Sequence, residues 1–137
     1  MRRTIGLLSV LSLIGSTCVD PCGNDILTEM RSPDGRLRFV VFQRDCGPTT
    51  GFSTQVSILT SDAGFLTTPT WLRSTRSGNA FVADTNHGEA PSGPGGGPVV
   101  QVEWLGPNRL KIIHDKRARV FKSAQSVNGV SVEYVSQ

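Results

Sequence analysis

Three cysteines and two histidines carry the thiol and imidazole chemistry open to this 137-residue chain, and their spacing limits what that chemistry can be. The pair Cys22 and Cys46 lacks the short intervals of a zinc site. A thiolate nucleophile at Cys46 would need a base, which His87 or His114 could supply. Asp45, directly before Cys46, works against this, because a neighbouring carboxylate raises a thiol pKa unless Arg44 offsets it. The expectation is therefore a Cys22–Cys46 disulfide rather than a catalytic or metal-binding thiol. It would close a loop of about 25 residues and contribute on the order of 3 kcal/mol. No catalytic residue, metal or cofactor is assigned.

Two further groups of side chains could bind. Asp84, Asn86, His87 and Glu89 are the densest set of ligand-capable residues, but their spacing fits no calcium loop or zinc motif, and Asp, Asn and His are ordinary turn residues. Arg109, Lys111, Lys116, Arg117, Arg119 and Lys122 form the one concentrated charge feature, opposed locally only by Asp115. A hairpin could align Arg109, Lys111 and some of the others on one exposed face, attractive to a lipid phosphate or an acidic protein. The loop Ala90–Pro98, with three consecutive glycines at 95–97, permits close backbone approach but lacks the Lys-Ser/Thr ending of a phosphate loop. Its prolines read as an exposed, irregular connection. Candidate binding residues are thus Asp84, His87, Arg109, Lys111, Lys116, Arg117 and Arg119.

The elements that position these groups begin with an N-terminal segment of a different kind. Arg2 and Arg3 precede an apolar run from Ile5 to Ile14, and small residues then lead to Cys18. The run is about half the length a bilayer-spanning helix requires, and Asp20 and Pro21 follow, so residues 1–17 read as an export signal rather than an anchor. Gly15-Ser16-Thr17-Cys18 resembles the lipobox of bacterial lipoproteins, in which the cysteine is lipidated, although Gly15 and Thr17 depart from the usual residues. On that resemblance Cys18 is the lipid attachment point and a membrane tether. Cleavage near Thr17 with a leftover thiol, and a Cys18–Cys46 bridge, are the alternatives. Without Arg2 and Arg3 the chain carries twelve basic against eleven acidic side chains, so the apparent basicity belongs partly to the precursor. Near-neutrality and export both count against nucleic acid as a partner.

Residues 18–137 are enough for one domain and too few for two. Ser32-Pro33-Asp34-Gly35 is a turn motif, and Leu37–Phe42 reads as a strand covered on both faces. Alternation marks strands at Ser53–Thr60 and Val100–Trp104, with Gly106-Pro107-Asn108 turning the chain into a return strand over Leu110–His114. Phe81-Val82-Ala83 is a short strand running into the Asp84 loop. Asn128-Gly129 predicts a tight turn joining Arg119-Val120-Phe121 to a last strand at Val130–Tyr134. No segment after the signal keeps helical spacing for three turns. The fold class is mainly β, a single antiparallel β domain built as a sandwich, an open barrel or propeller-blade-like hairpins.

Ser-Pro-Asp-Gly before an apolar strand, and Trp104-Leu105-Gly106-Pro107-Asn108-Arg109-Leu110, resemble strands of Tol-type and prolyl-oligopeptidase-type propeller blades, though a closed propeller does not fit this length. The chain also resembles small bacterial envelope proteins that combine Ser-Pro-Asp-Gly, an apolar strand and an Arg-Asp-Cys-Gly-x-Thr-Thr segment, here Arg44–Thr50. That resemblance implies a place in the periplasm or outer envelope and brings no activity. The expected role is a noncatalytic exported module recognising a protein or surface polymer. A small hydrolase using Cys46 or the Asp84/His87 region, or an inhibitor or immunity-type protein, is the alternative. Trp71, in the segment Gly64–Gly78, could be a core plug or an exposed anchor.

Overall fold

A computed structural model describes residues 22–62 and 77–137, all strand, turn or loop with no helix among them. The export signal, Cys18, and Trp71 with most of its segment lie outside the described residues. Among the described residues nine strands form two sheets. The first takes β1 (Gly23–Arg31), β2 (Leu37–Asp45), β3 (Phe52–Thr60), β4 (Phe81–Asp84) and β7 (Arg119–Ser123), antiparallel throughout and in the order β1-β2-β3-β4-β7. The second takes β5 (Val100–Gly106), β6 (Arg109–His114), β9 (Val130–Ser136) and β8 (Ser126–Val127) in the order β5-β6-β9-β8. Its β6–β9 pair is parallel, the one exception to the antiparallel expectation.

The sheets pack as a sandwich on one core. Phe39, Val41, Val56, Ile58 and Phe81 of the first sheet meet Leu110, Ile112 and Val130 of the second, with Trp104 and Tyr134 half-buried at its margins. Each large apolar side chain removed from water this way contributes about 1.5–3 kcal/mol. Strand β2 is buried on both faces, as its composition predicts. Its other face carries Val40 and Phe42 between Arg38, which pairs with Glu29 at 2.9 Å, and Arg44, which donates to Asn24 at 2.9 Å.

Local chemistry explains the turns. In Ser32–Gly35 the Gly35 N–H donates to the Ser32 carbonyl at 2.9 Å, and Gly35 takes the left-handed φ of +75° that closes the loop before β2. The Ser32 hydroxyl donates to Asp34 and accepts from the Leu37 N–H, so the turn side chains saturate its backbone. Gly106–Asn108 closes the β5–β6 hairpin as predicted.

The expected hairpin between residues 119–121 and the last strand does not form. Asn128-Gly129 does make a tight turn, both residues at positive φ, but it joins β9 only to the two-residue β8. Strand β7 lies in the other sheet, where Arg119 is opposite Asp84. The Tyr134 hydroxyl lies 2.6 Å from the Ala124 carbonyl and 3.1 Å from that of Ala80, and so fixes the point where the chain changes sheets.

Candidate functional site

The registers collect the chemistry-bearing residues at one end of the sandwich. Gly23 pairs with Asp45, Asp45 with Phe52, Ser53 with Asp84, and Asp84 with Arg119. In the second sheet Val100 pairs with His114 and His114 with Ser136. The short 115–118 turn joins the two sheets at this end. The opposite end holds the Ser32–Gly35, Gly106–Asn108 and Asn128-Gly129 turns, where Arg36 donates to Asn108.

Cys22 and Cys46 form the expected disulfide at this end, tying the start of β1 to the residue after β2. The sulfur is consumed, so Cys46 has no thiol to act as a nucleophile. Asp84, Asn86 and Glu89 turn out to hold one another, whereas His87 does not join them. Asp84 accepts from the Asn86 N–H at 2.8 Å, and Asn86 donates through its side chain to Glu89 at 3.0 Å. Asn86 and His87 both have positive φ, and Gly88 N–H donates to the Thr85 carbonyl, which makes Thr85–Gly88 a tight turn of the left-handed kind that Asn and His tolerate best. Burial would push the Asp84 carboxyl up, but two bonds from Arg119, at 3.2 and 2.5 Å, and the Asn86 N–H hold it below the usual carboxylate range. His87 is exposed on the turn.

The basic segment does not form one face. Arg109 and Lys111 lie on the outer surface of the second sheet, where Arg109 faces Glu133 at 3.7 Å and Lys111 pairs with Glu103. Arg119 and Lys122 belong to the first sheet, Arg119 bound to Asp84 and Lys122 donating to the Gly78 carbonyl at 2.9 Å. Arg117 is locked to Asp115 through Nε, Nη2 and its own N–H, and that carboxyl is drawn down to about 2. Strand pairing places carboxylates distant in sequence against these cations, and the expected cationic patch is dispersed. Within the segment, Lys116 alone has no ion-pair or hydrogen-bond partner for its ammonium among the described residues.

The Ala90–Pro98 loop is packed rather than free. Its Gly95, Gly96 and Gly97 lie against Gln43, Phe52 and Thr54, and Thr54 Oγ1 donates to the Pro98 carbonyl at 2.7 Å. Ala90, Gly97 and Pro98 are buried. The run of glycines serves close backbone approach to the first sheet, and Gly93 closes a small internal turn by donating to Gly97 at 2.7 Å.

Two of the hollows among the described residues open at this end. The larger, about 440 Å³, lies between the arm following the Gly/Pro loop and the 114–118 turn. Pro91, Val99 and Ile113 give it an apolar side, and Gln101, His114, Lys116 and Arg117 a polar one. His114 packs tilted against the core ring of Phe81, with centroids 5.3 Å apart, and its Nδ1 is 3.0 Å from the Asp115 carbonyl. A carbonyl only accepts, so Nδ1 carries the proton. The smaller hollow, about 270 Å³, lies beside the disulfide. Phe52 and the bulged Phe121 are exposed there, with the Arg119 guanidinium 5.0 Å above the Phe121 ring.

Of the residues singled out in the sequence, His114, Lys116 and Arg117 meet in the larger hollow, and Cys46, Asp84 and Arg119 in the smaller one. Arg109, Lys111 and His87 are in neither. Val99, Gln101, Ile113, Phe52 and Phe121 were not foreseen. Val99, Phe52 and Ile113 are apolar residues at or beside strand ends, Gln101 is a polar residue within β5 and Phe121 lies inside β7, so no common sequence signal marks them. Among the described residues the chain is a two-sheet β domain with a Cys22–Cys46 disulfide and most of its chemistry-bearing side chains toward one end. No protein-family model, curated protein or solved structure matches the chain.

Proposed function

We propose that this chain is a noncatalytic binding module exported to the cell envelope, tethered through a lipid on Cys18, and that it recognises its partner with the disulfide end of the sandwich. The observation that carries this reading is the Cys22–Cys46 bridge. It suits an oxidising compartment and leaves Cys18 as the odd cysteine, directly behind an apolar run with a basic flank. Asp84 and Asp115 are already held by arginines, which counts against the Asp84 region as a catalytic site, while the dispersal of the cations removes the support for binding through one basic face. The alternative of a Cys46 hydrolase loses its nucleophile to the bridge.

Intact mass analysis tests the proposal on protein expressed with its own N-terminus and extracted with and without detergent. The expected result is a detergent-extracted chain beginning at Cys18 with an added diacylglycerol, gaining two hydrogens on reduction. A chain that keeps residues 1–17, or one that begins near residue 18 with no lipid, overturns the tether.

A further inference from the structure

We infer that the disulfide end of the sandwich docks on the membrane that carries the anchor, with the rings of Phe52 and Phe121 seated between the lipid head groups and the upper acyl chains. This names the partner of that end and rests on the lipid-bearing Cys18 proposed above.

Reach is the first reason. Cys22 lies four residues after Cys18, so even a fully extended chain holds the two within about 14 Å. The bridge joins Cys22 to Cys46, and Cys46 borders the hollow that Phe52 and Phe121 also line. Nine-residue strands such as β2 and β3 carry the opposite end about 27 Å further away. An anchor on Cys18 therefore holds the disulfide end closest to the bilayer.

The surface found there suits a lipid boundary. Among the described residues the exposed phenylalanines are Phe52 and Phe121, 42% and 61% exposed, whereas Phe39, Phe42 and Phe81 are buried. Val99, next to the Val100–His114 pair at the same end, is about half exposed as well. Phe121 is the extra residue of a bulge, since Val120 lies opposite Ala83 and Lys122 opposite Val82, and a bulge re-aims its side chain. The Arg119 guanidinium packs over the Phe121 ring, and the Phe52 ring lies against Gly96. Both rings are thus held in place before contact, and docking costs little rotamer freedom.

Entry into the head-group boundary removes the two rings from water, as for other apolar faces that lie on a membrane. Charge adds little, because Arg119 is bonded to Asp84 and Arg117 to Asp115. The tether supplies the rest. It makes a weak contact intramolecular, at an effective concentration on the order of millimolar.

The test uses the processed, isotope-labelled chain with its own lipid, in nanodiscs of phosphatidylethanolamine and phosphatidylglycerol that carry a gadolinium-labelled head group. Paramagnetic relaxation is read at backbone amides. The expected result is strong enhancement at residues 50–53 and 119–122, and weak enhancement at 34–36, 106–108 and 128–129 of the opposite end. Phe52→Ser/Phe121→Ser should lower the docked population about tenfold, while residues 22–24 beside the tether keep their enhancement. Phe121→Ser alone, at the more exposed position, should act in the same direction, and unchanged shifts at Val56 and Ile112 report an intact core. Added salt should leave the pattern in place, because the contact is apolar. Equal enhancement at the two ends, an unchanged pattern in the double variant, or loss of enhancement at high salt each overturns the inference. Mass analysis of the same sample reads the anchor. Any of those results with a lipid present on Cys18 overturns the docking and leaves the tether standing, whereas a chain without the lipid overturns both.

Discussion

Removing the disulfide should cost this domain more than any other single covalent change, and the loss should appear mainly in the unfolded state. The bridge joins residues 24 apart in sequence and so closes a loop of about 25 residues. The chain-entropy relation gives about 3.5 kcal/mol for a loop of that size at 25 °C. A domain of about 120 residues unfolds with an entropy of roughly 0.25 kcal/mol per kelvin, so the melting temperature should fall by about 15 °C. The folded state loses little by comparison. Gly23 and Asp45 next to the bridge are already paired in the β1–β2 ladder, and that ladder continues to Arg31 and Arg38. Thermal and urea unfolding of a Cys22→Ser/Cys46→Ser variant, followed by circular dichroism beside the parent with and without reductant, measures the effect. The urea m-value should rise, because the unfolded chain can then expand fully. A melting shift below about 5 °C with an unchanged m-value would refute the entropic account. Hydrogen exchange locates a purely local alternative. If the bridge only pins the edge strand, the amides of β1 should lose protection while Val56 in β3 keeps its own.

Three other outcomes follow from buried or crowded groups. The chain has one tyrosine, and burial pushes the Tyr134 phenol up to about 12, so tyrosinate absorption should appear only near that pH. Because the folded pKa is raised, stability is complete below the unfolded value of about 10 and is lost as pH climbs through about 12; a titration midpoint near 10 in the folded protein contradicts this. Asp34 and Asp115 are drawn down to about 2, Asp34 by Ser32 and Arg36 and Asp115 by Arg117, and Asp84 is lowered as well. Unfolding therefore takes up protons, and melting temperature should decline from about pH 4 toward pH 2; Asp115→Asn should flatten that decline, and an unchanged slope counts against the assignment. Finally, a Cβ at Gly97 would stand 2.5 Å from Thr54 Oγ1 and 2.8 Å from the Thr54 nitrogen, so Gly97→Ala should cost about 1–3 kcal/mol in denaturant unfolding. Gly95→Ala meets the far end of the flexible Gln43 side chain and should cost less; equal losses would mean that the loop is not seated as described.

Those parts of the fold that depend on local rules are legible in the sequence. Strand β2 announces itself by a dense apolar run behind a saturated turn, and the β5–β6 hairpin by alternation on both sides of Gly106-Pro107-Asn108. Strand β1 carries no such signal. It is an edge strand, mostly exposed, with Asp25, Glu29 and Arg31 among its residues and a bulge at Leu27 that interrupts any period. The allegiance of β7 is equally hidden, because it is decided by Asp84 across the ladder and by Tyr134 from the other sheet. The disulfide was readable by cysteine arithmetic and by the unfavourable neighbour of Cys46. The larger hollow was not, since its two sides come from segments more than ten positions apart that meet only after β5 and β6 pair.

The basic segment shows most clearly how topology converts a sequence feature into a different physical object. Read linearly, residues 109–122 are six cations with one acid among them. In the folded chain the cationic strand residues of that run acquire cross-strand neighbours, and Lys111 sits opposite Glu103 on one side and Glu133 on the other, which raises its pKa. Arg119 finds Asp84 by the same logic in the other sheet. Cross-strand opposite-charge pairs of this kind contribute only a few tenths of a kcal/mol each, so their main effect is to cancel a field that would otherwise attract any polyanion. The 115–118 turn has no strand opposite it, so its charges are balanced locally. Its Arg117 is satisfied by Asp115 within the turn itself, and the same carboxylate attracts the neighbouring Lys116.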